Sequence, residues 1–505
     1  MKFLFIQACR ARGLALLCAL MASAGAAQAQ TYPPVAPGGA TAEPSLAVRD
    51  NGLQPLTPQG STVQPVAPLS TTTDLWERIR RGYAMPDLDS PLVRDREAWY
   101  TARPDYIFRM TERSRKYLFH IVEELELRNM PTELALLPFV ESAFNPQAVS
   151  SAKAAGMWQF MPATGRTFEL KQNVFRDDRR DVLASTRAAL DYLQKLYGLF
   201  GDWHLALAAY NWGEGSVGRA IAKNERLMLG TGYTDLTMPM ETQFYVPKLQ
   251  AIKNIVARPQ AFGSDLPKIE NHPYFQTVSI RRDIDVALAA KLAQVPLDDF
   301  KALNPSLNKP VILAAGTPQI LLPWDSADVF LQNLDRFAGS RLASWTVWVA
   351  PGTLRVADAA KQVGMSEAQL REINNIPKGM LIKPGSTLLV TRATHSASDV
   401  TEAVADRGEV SFAPELIQVR KTVRAAKGDS VASIAKRFGT PASNVAQWNK
   451  VAANATFKPG QSVVVYVTAS AASAKSAAAV SGTAKVAKRS AVKTARAATA
   501  KKKKA

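Results

Sequence analysis

An internal repeat in the second half of the chain limits what this sequence can fold into. Six positions recur at an offset of 75 residues, and a fainter copy lies roughly 70 residues before the first of these two. Repeats of this size indicate one small folding unit used more than once, not a single large domain. The recurring residues are Ala360-Lys361, Asn374 and Lys383-Pro384-Gly385, then Ala435-Lys436, Asn449 and Lys458-Pro459-Gly460, and in the fainter copy Ala290-Lys291, Asn304 and Gly316.

Short runs with β propensity bound these copies. Each copy ends in such a run, at 320–322, 387–390 and 462–467, and the later two also begin with one, at 346–349 and 422–425. The economical prediction for each copy is a strand, two short helices and a second strand. We therefore expect a degenerate unit at 270–335, units at 344–392 and 417–467, and a linker at 393–416.

The first half of the chain has a helical pattern. Leu190, Leu193, Tyr197 and Phe200 lie on one helical face, at spacings of three, four and three, and Gly201 follows as a stop signal. No alternating strand of useful length occurs before about residue 270. The pattern predicts an all-helical domain over residues 74–265. A chain of 505 residues is too long for one core, which agrees with several domains.

The N-terminus predicts export. Basic residues up to Arg12 precede a short apolar run at 14–21, and small residues follow as far as Ala29. This is the layout of a secretory signal peptide, which we place at 1–29, with an uncleaved anchor as the alternative. Both cysteines lie within that segment, so no disulfide framework is expected. Residues 30–73 are rich in Pro, Gly, Thr and Ser and predict a disordered linker.

The charge of the chain is concentrated at its C-terminus. Ten of the residues after 474 are Lys or Arg and none is acidic, which accounts for more than half of the net charge of +19. Residues 468–505 are predicted to be a disordered basic tail. In an exported chain such a tail would meet anionic envelope polymers and no nucleic acid, although a merely solubilising role fits equally well.

Neither a metal nor a nucleotide cofactor is predicted. The four histidines, His120, His204, His272 and His395, are too scattered to suggest a set of ligands. No glycine-rich phosphate loop follows a predicted strand.

Glu141 is the candidate catalytic residue. It follows the apolar segment 136–140, and partial desolvation of its carboxyl would raise the pKa, as a general acid for a glycosidic oxygen requires. Most glycosidases use two carboxylates, but this stretch offers one, because Asp177 and Asp178 are expected in a salt-bridged surface loop. One carboxyl suffices if the substrate's own hydroxyl attacks. A lone glutamate at the end of an apolar helix is, however, more often a capping or solvated residue.

Further motifs surround Glu141 over roughly residues 130 to 250. They are Glu141-Ser142, Asn145-Pro146, Ser150, Gly156-Met157-Trp158-Gln159, Met161-Pro162, Ala209-Tyr210-Asn211, Glu241-Thr242 and Tyr245-Val246. In the repeated units the clearest motifs are those of the third copy, at Gly428-Asp429-Ser430, Asn449 and Pro459-Gly460-Gln461. The first set, in this order, resembles the soluble lytic transglycosylase family, and the repeated units resemble LysM modules.

The resemblance implies a multidomain α+β chain, with an all-α lysozyme-like catalytic domain followed by small βααβ modules that grip N-acetylglucosamine-containing glycans. It implies cleavage of the bond between N-acetylmuramic acid and N-acetylglucosamine in peptidoglycan, without a cofactor, leaving 1,6-anhydromuramic ends in the cell envelope or periplasm. Glu141 would be the acid and base. The residues implied to bind substrate are Ser150, Gln159, Met161, Tyr210, Asn211, Glu241 and Tyr245, whereas Trp158 is expected in the core.

Two other functions stay open at this point. A hydrolase of the lysozyme type would use water as the nucleophile and needs a second carboxylate, for which Glu241 is a distant candidate. A glycan-binding scaffold would bind glycan through its modules, and its helical domain would have no catalytic activity.

Overall fold

The computed structural model describes residues 73–337, 341–393 and 398–470. The predicted signal peptide, the 30–73 linker apart from its last residue, and the basic tail beyond residue 470 lie outside these ranges. Within them, no helix is both long enough and apolar enough to cross a membrane.

The first domain is built of helices, with longer connections after α5, α6 and α9, and has no sheet among its described residues. Two 3₁₀ turns, Thr132–Leu136 and Pro259–Phe262, complete it. The helices are α1 (Leu75–Arg81), α2 (Pro91–Thr101), α3 (Pro104–Ser114), α4 (Leu118–Leu127), α5 (Leu137–Ser142), α6 (Pro162–Thr167), α7 (Val182–Phe200), α8 (Trp203–Trp212), α9 (Glu214–Arg226), α10 (Met240–Gln243) and α11 (Tyr245–Ala257).

Local sequence explains where the α7–α8 hairpin begins and turns. The carboxylate of Asp181 accepts from the amides of Leu183 and Ala184, which caps the N-terminus of α7. Gly201 ends this helix with φ of 65°, a left-handed conformation that glycine adopts without steric cost. Asp202 then caps α8 through the amide of Leu205. The predicted stop at Gly201 is confirmed.

Helix α11 lies at the centre of the first domain. It packs against α2, α5 and α8, and its residues Tyr245, Leu249 and Ile252 are at most 2% exposed. Because α5 and α8 both contact this buried helix, the elements that carry Glu141, Tyr210 and Tyr245 are held together by the main core.

Three βααβ units follow, each closed by an antiparallel pair of its first and last strands. The first has β1 (Phe275–Ser279), β2 (Ile284–Asp285), α12 (Val286–Leu292), α13 (Leu297–Leu303), β3 (Val311–Ile312) and β4 (Gln319–Pro323), then a 3₁₀ turn (Trp324–Ser326) and α14 (Ala327–Arg336). The second has β5 (Trp345–Val349), β6 (Leu354–Arg355), α15 (Val356–Gln362), α16 (Glu367–Asn374), β7 (Met380–Ile382) and β8 (Thr387–Thr391).

The third unit, which comes after α17 (Glu402–Arg407) and β9 (Phe412–Pro414), has β10 (Leu416–Arg424), α18 (Val431–Phe438), α19 (Ala442–Asn449) and β11 (Ser462–Ser470). The predicted fold class, a helical domain followed by small βααβ units, is confirmed.

The recurring asparagine joins the second helix of each unit to its last strand. In each copy the side-chain amide donates to a strand carbonyl, and its oxygen accepts from the amide of the same strand residue. A backbone amide and carbonyl of the strand are thereby satisfied, which explains why an asparagine recurs at this point of every unit. Its strand partner lies 17 residues later in the first unit and 15 residues later in the other two. The bonds join Asn304 to Leu321 at 2.8 and 2.9 Å, Asn374 to Leu389 at 2.8 and 2.7 Å, and Asn449 to Val464 at 2.7 Å for both.

The first unit shares the core of the helical domain. Its Leu303 and Leu321 belong to the same buried cluster as residues of α4 and α7. The hydroxyl of Tyr117 donates to the carbonyl of Ala302 over 2.8 Å, and Lys116 pairs with Asp299. The third unit has a hydrophobic cluster of its own.

The segment predicted as a linker at 393–416 is structured where it is described. It contains α17 and β9, and β9 pairs with β7, with Met380 opposite Pro414 and Ile382 opposite Phe412. Ala405 of α17 is 2% exposed. These elements are short and bury a small side chain, so they produce no hydrophobic periodicity that sequence reasoning could detect.

Asn449→Ala should destabilise the third unit by about 2 kcal/mol, because it leaves the amide and carbonyl of Val464 without partners. Hydrogen–deuterium exchange measured by mass spectrometry should show faster exchange across β11. The matched control is Gln447→Ala on the same helix, where the side chain is exposed and little change is expected. Equal protection of β11 in both variants would contradict the role given to the asparagine.

Candidate active site

Glu141 lies at the end of a short buried helix. The preceding residues of α5, Leu137 and Phe139, are at most 1% exposed. The helix ends abruptly because Ala143 and Phe144 both take positive φ, 51° and 55°. Phe144 is fully buried with its ring 4.4 Å from that of Phe139, which offsets the strain of this turn. Glu141 is therefore fixed where the apolar helix meets the domain surface.

Tyr245 is the hydrogen-bond partner of Glu141. It is the first residue of α11 and is 2% exposed, and its hydroxyl donates to Oε1 of Glu141. Burial raises the pKa of Glu141 to about 7, and the negative charge of Glu241 acts in the same direction. The hydrogen bond from Tyr245 and the positive charge of Lys248 lower this pKa but do not cancel the effect of burial. Near neutral pH the carboxyl can thus both donate and accept a proton.

Residues 148–161 form a compact loop beside α5. Ser142 donates from its hydroxyl to the carbonyl of Met157 over 3.0 Å, which ties the loop to the helix of Glu141. Within the loop, the hydroxyl of Ser150 accepts from the amide of Ala154 at 3.0 Å. Gln159 has φ of 49°, and its side-chain amide donates to the carbonyl of Gly156 at 2.8 Å. Ser150 and Gln159 therefore sit on the two turns of one hydrogen-bonded loop.

Tyr210 and Asn211 connect this loop to the opposite side of the site. The hydroxyl of Tyr210 donates to the carbonyl of Trp158 over 2.8 Å. The side-chain oxygen of Asn211 accepts from the hydroxyl of Thr242 over 2.8 Å, which links α8 to α10. Burial raises the pKa of Tyr210 well above its ordinary value, and the negative charge of Glu141 adds to this. The phenol therefore stays neutral in the working range of pH.

Among the predicted site residues, Tyr245, Tyr210 and Glu241 interact directly or electrostatically with Glu141. Ser150 and Gln159 lie in the neighbouring loop, and Asn211 bonds Thr242. The hydroxyl that donates to the carboxylate is that of Tyr245. Tyr210 also lies close enough to interact with the charge of Glu141, but its hydroxyl donates to the carbonyl of Trp158. Met161 is 43% exposed, and Glu241 is also exposed. Trp158 is fully buried, as predicted for a core residue.

Two contributors to the site were missed from sequence. Ser142 directly follows Glu141, and its place beside a catalytic candidate was the available signal for a tethering role. Lys248 lies three residues after Tyr245, and this spacing puts both on one face of a helix. In the described part of the chain, no group of three or more His, Cys, Asp or Glu side chains is arranged to hold a metal ion.

Family models match this chain in three regions. The model described as "Transglycosylase SLT domain" matches residues 120–228, a span that includes Glu141 and Tyr210 but ends before Glu241 and Tyr245. The model "Lytic transglycosylase MltD, LysM-like domain" matches residues 274–339. The LysM domain model matches residues 359–391 and 423–465, which correspond to the second and third units.

Curated relatives match most of the chain. The protein named membrane-bound lytic murein transglycosylase D from Escherichia coli strain K12 is 33% identical over 407 residues, which cover 78% of this chain and 86% of that protein. The protein of the same name from Escherichia coli O6:H1 matches to the same extent. A putative tributyltin chloride resistance protein from an Alteromonas species is 49% identical over 111 residues, 22% of this chain and 54% of that protein.

Glu141→Gln should raise the stability of the helical domain above that of the unmodified protein by more at pH 8 than at pH 5. The pKa of Glu141 is raised in the folded state, so its protonation supports the fold at low pH, and this support is lost as pH rises from about 4.5 to about 7. Glutamine carries no charge and has no such dependence. Thermal unfolding midpoints of the two proteins should therefore diverge in favour of the variant as pH rises.

The control for this experiment is Glu225→Gln, which removes an exposed glutamate on α9. Its midpoint relative to the unmodified protein should change little with pH. A constant difference for Glu141→Gln across the same range would mean that its carboxyl titrates normally.

Proposed function

Because the chain belongs to the lytic murein transglycosylase D family, we propose that it cleaves the glycan strands of peptidoglycan with Glu141 as the single acid and base. The bond cut is the β-1,4 linkage between N-acetylmuramic acid and N-acetylglucosamine. The product ends are 1,6-anhydromuramic acid and a free N-acetylglucosamine 4-hydroxyl, and no water is consumed.

The proposed reaction has two proton transfers through one group. Protonated Glu141 first donates its proton to the glycosidic oxygen, and the bond from C1 of the muramic acid to that oxygen breaks. The carboxylate then accepts the proton of the C6 hydroxyl as O6 attacks C1, which closes the anhydro ring and restores the acid. The attacking hydroxyl belongs to the same sugar, so it acts with the high effective concentration of an intramolecular group.

The observation that carries this proposal is the environment of Glu141. A pKa of about 7 allows both protonation states near neutral pH, as a group that donates and then recovers a proton requires. The hydrogen bond from Tyr245 stabilises the carboxylate formed after the first transfer. Ser150, Gln159, Met161, Tyr210, Asn211, Glu241 and Tyr245 are the residues proposed to bind and orient the sugars.

A hydrolase remains the second candidate because of Glu241. This residue is exposed, and its negative charge raises the pKa of Glu141. A water molecule activated by Glu241 would give a reducing muramic acid end. The absence of any activity, with binding retained, would correspond to the scaffold function.

The βααβ units and the chain termini suggest the setting of the reaction. SLT and LysM matches support peptidoglycan as the partner, with the LysM units holding the strand near the active site. We propose that residues 1–29 direct export to the cell envelope and that the basic tail contacts anionic envelope polymers. Residues 1–29 and the tail beyond residue 470 lie outside the described residues, whereas 468–470, predicted as the start of the tail, form the end of β11.

The test is mass spectrometry of the muropeptides released from purified wall sacculi by residues 30–505. Muropeptides whose mass is one water lower than that of the same muropeptides with a reducing end would identify the anhydro product. Glu141→Gln should lower the rate by about 10²- to 10⁴-fold, the range expected for loss of a general acid and base.

Products with ordinary reducing ends would overturn the transglycosylase proposal in favour of the hydrolase, and Glu241→Gln would then be the variant expected to abolish them. If neither protein released products while both bound sacculi, the chain would be a scaffold. Anhydro products from Glu141→Gln at the unmodified rate would assign the chemistry to another group.

A further inference from the structure

Residues 171–181, here called the junction segment, contact both the βααβ units and residues 148–161, here called the active-site loop. The segment lies between α6 and α7. Towards the first unit, the amide of Asp177 donates to the carbonyl of Ser306 at 2.9 Å, and the amide of Asn308 donates to the carbonyl of Phe175 at 2.8 Å. Two backbone bonds therefore pair the segment with the loop before β3.

The second unit and the helix that follows it hold the same segment. The side-chain amide of Asn173 donates to the carbonyls of Ala405 and Asp406 at 3.0 and 3.1 Å. Lys171 pairs with the carboxylate of Asp406 at 2.6 Å. Phe175, 5% exposed, lies in a buried cluster with Val311, Leu313, Ala343, Leu389 and Ala405, which come from the first unit, the second unit and α17.

On its other side, the junction segment reaches the active-site loop through Arg179. One guanidinium nitrogen, Nη1, donates to the carbonyl of Lys153 at 2.7 Å and to that of Phe160 at 3.1 Å. The remaining nitrogens, Nε and Nη2, donate to the carboxylate of Asp177 at 2.9 and 2.7 Å. Lys153 follows the turn that holds Ser150, and Phe160 lies between Gln159 and Met161.

The backbones of the loop and the segment are also in direct contact. A Cβ on Gly156 would lie 1.9 Å from the carbonyl oxygen of Arg179, so only glycine fits there. Arg179 is 8% exposed, and its charge is compensated by Asp177. A lysine in its place could neutralise Asp177 but could not reproduce the planar fork that serves both carbonyls and the carboxylate.

We propose that Arg179 is a positioning residue for the turns of Ser150 and Gln159, and that docking of the first two βααβ units on the junction segment keeps it in place. This inference rests on the proposed function of the site. It gives these units a role beyond glycan binding, since the active-site loop depends on their attachment even when the substrate is too short to reach them. Loss of the arginine fork changes substrate binding and turnover without changing the ionisation of Glu141, which Arg179 does not contact.

The test compares the full exported chain with Arg179→Gln, Arg179→Lys and Phe175→Ala on soluble, uncrosslinked glycan fragments from purified wall. We expect kcat/KM of Arg179→Gln to fall by about 10- to 100-fold with a raised KM, as for a binding group displaced by about an ångström. Arg179→Lys should recover part of this loss. Phe175→Ala, which alters only the docking side, should also raise KM, and the pH dependence of the rate should be unchanged in all three.

A purely structural role predicts a different result. Loss of folded protein would lower the rate in proportion to the folded fraction, measured by circular dichroism, and leave KM unchanged. An unchanged KM in either Arg179→Gln or Phe175→Ala would overturn the proposal.

Fragment affinity measured by calorimetry in a Glu141→Gln background gives a second readout that needs no turnover. Weaker binding on adding Arg179→Gln or Phe175→Ala would support the inference even if the unmodified protein released no anhydro products. Unchanged affinity would overturn it, and the two proposals can therefore fail separately.

Discussion

The carboxyl group of Glu141 is desolvated by the apolar helix that carries it, and the hydrogen bond from Tyr245 opposes that effect. The balance leaves a pKa of about 7, between the value of a solvated glutamate and that of an isolated buried one. Several features of the helical domain serve this balance. Helix α11 must be buried to present Tyr245, α5 must end abruptly after Glu141, and Ser142 must hold the loop against that end.

The three βααβ units share a fold but differ in their attachment. In each unit an equivalent asparagine joins the second helix to the last strand by bonding a strand amide and carbonyl. The first unit extends the core of the helical domain through Leu303 and Leu321, whereas the third has a core of its own. Similar units are thus attached in two ways, which agrees with the proposal that the first two support the active-site loop while the third holds glycan.

The features that could be predicted from the sequence are those with a periodic or local signal. The stop at Gly201 follows from the backbone freedom of one residue. The recurring asparagine is visible because the second and third copies repeat it, with its flanking residues, at an offset of 75 residues. The contact between Tyr245 and Glu141 spans 104 positions and depends on how α11 packs, so the motif alone could not distinguish it from Tyr210.

The charged run at 176–180 was misjudged for a related reason. A run of Arg and Asp residues usually marks a solvated surface, and the ion pair of Arg179 with Asp177 does form. Their side chains are, however, only 10% and 16% exposed, because loop 148–161 packs on Arg179 and the first unit pairs with the backbone of Asp177. Sequence gave no sign that a module from more than a hundred residues further along would dock there.

The pH dependence of kcat/KM for glycan cleavage tests most directly whether one carboxyl, tuned by burial and by Tyr245, performs the chemistry. The rate should fall as pH rises through about 7, where Glu141 loses its proton. In Tyr245→Phe this fall should move to higher pH, since the bond that lowers the pKa of Glu141 is lost. It should stay in place in Tyr210→Phe, whose hydroxyl bonds the carbonyl of Trp158. A fall near pH 4.5, or one that Tyr245→Phe does not move, would contradict the account.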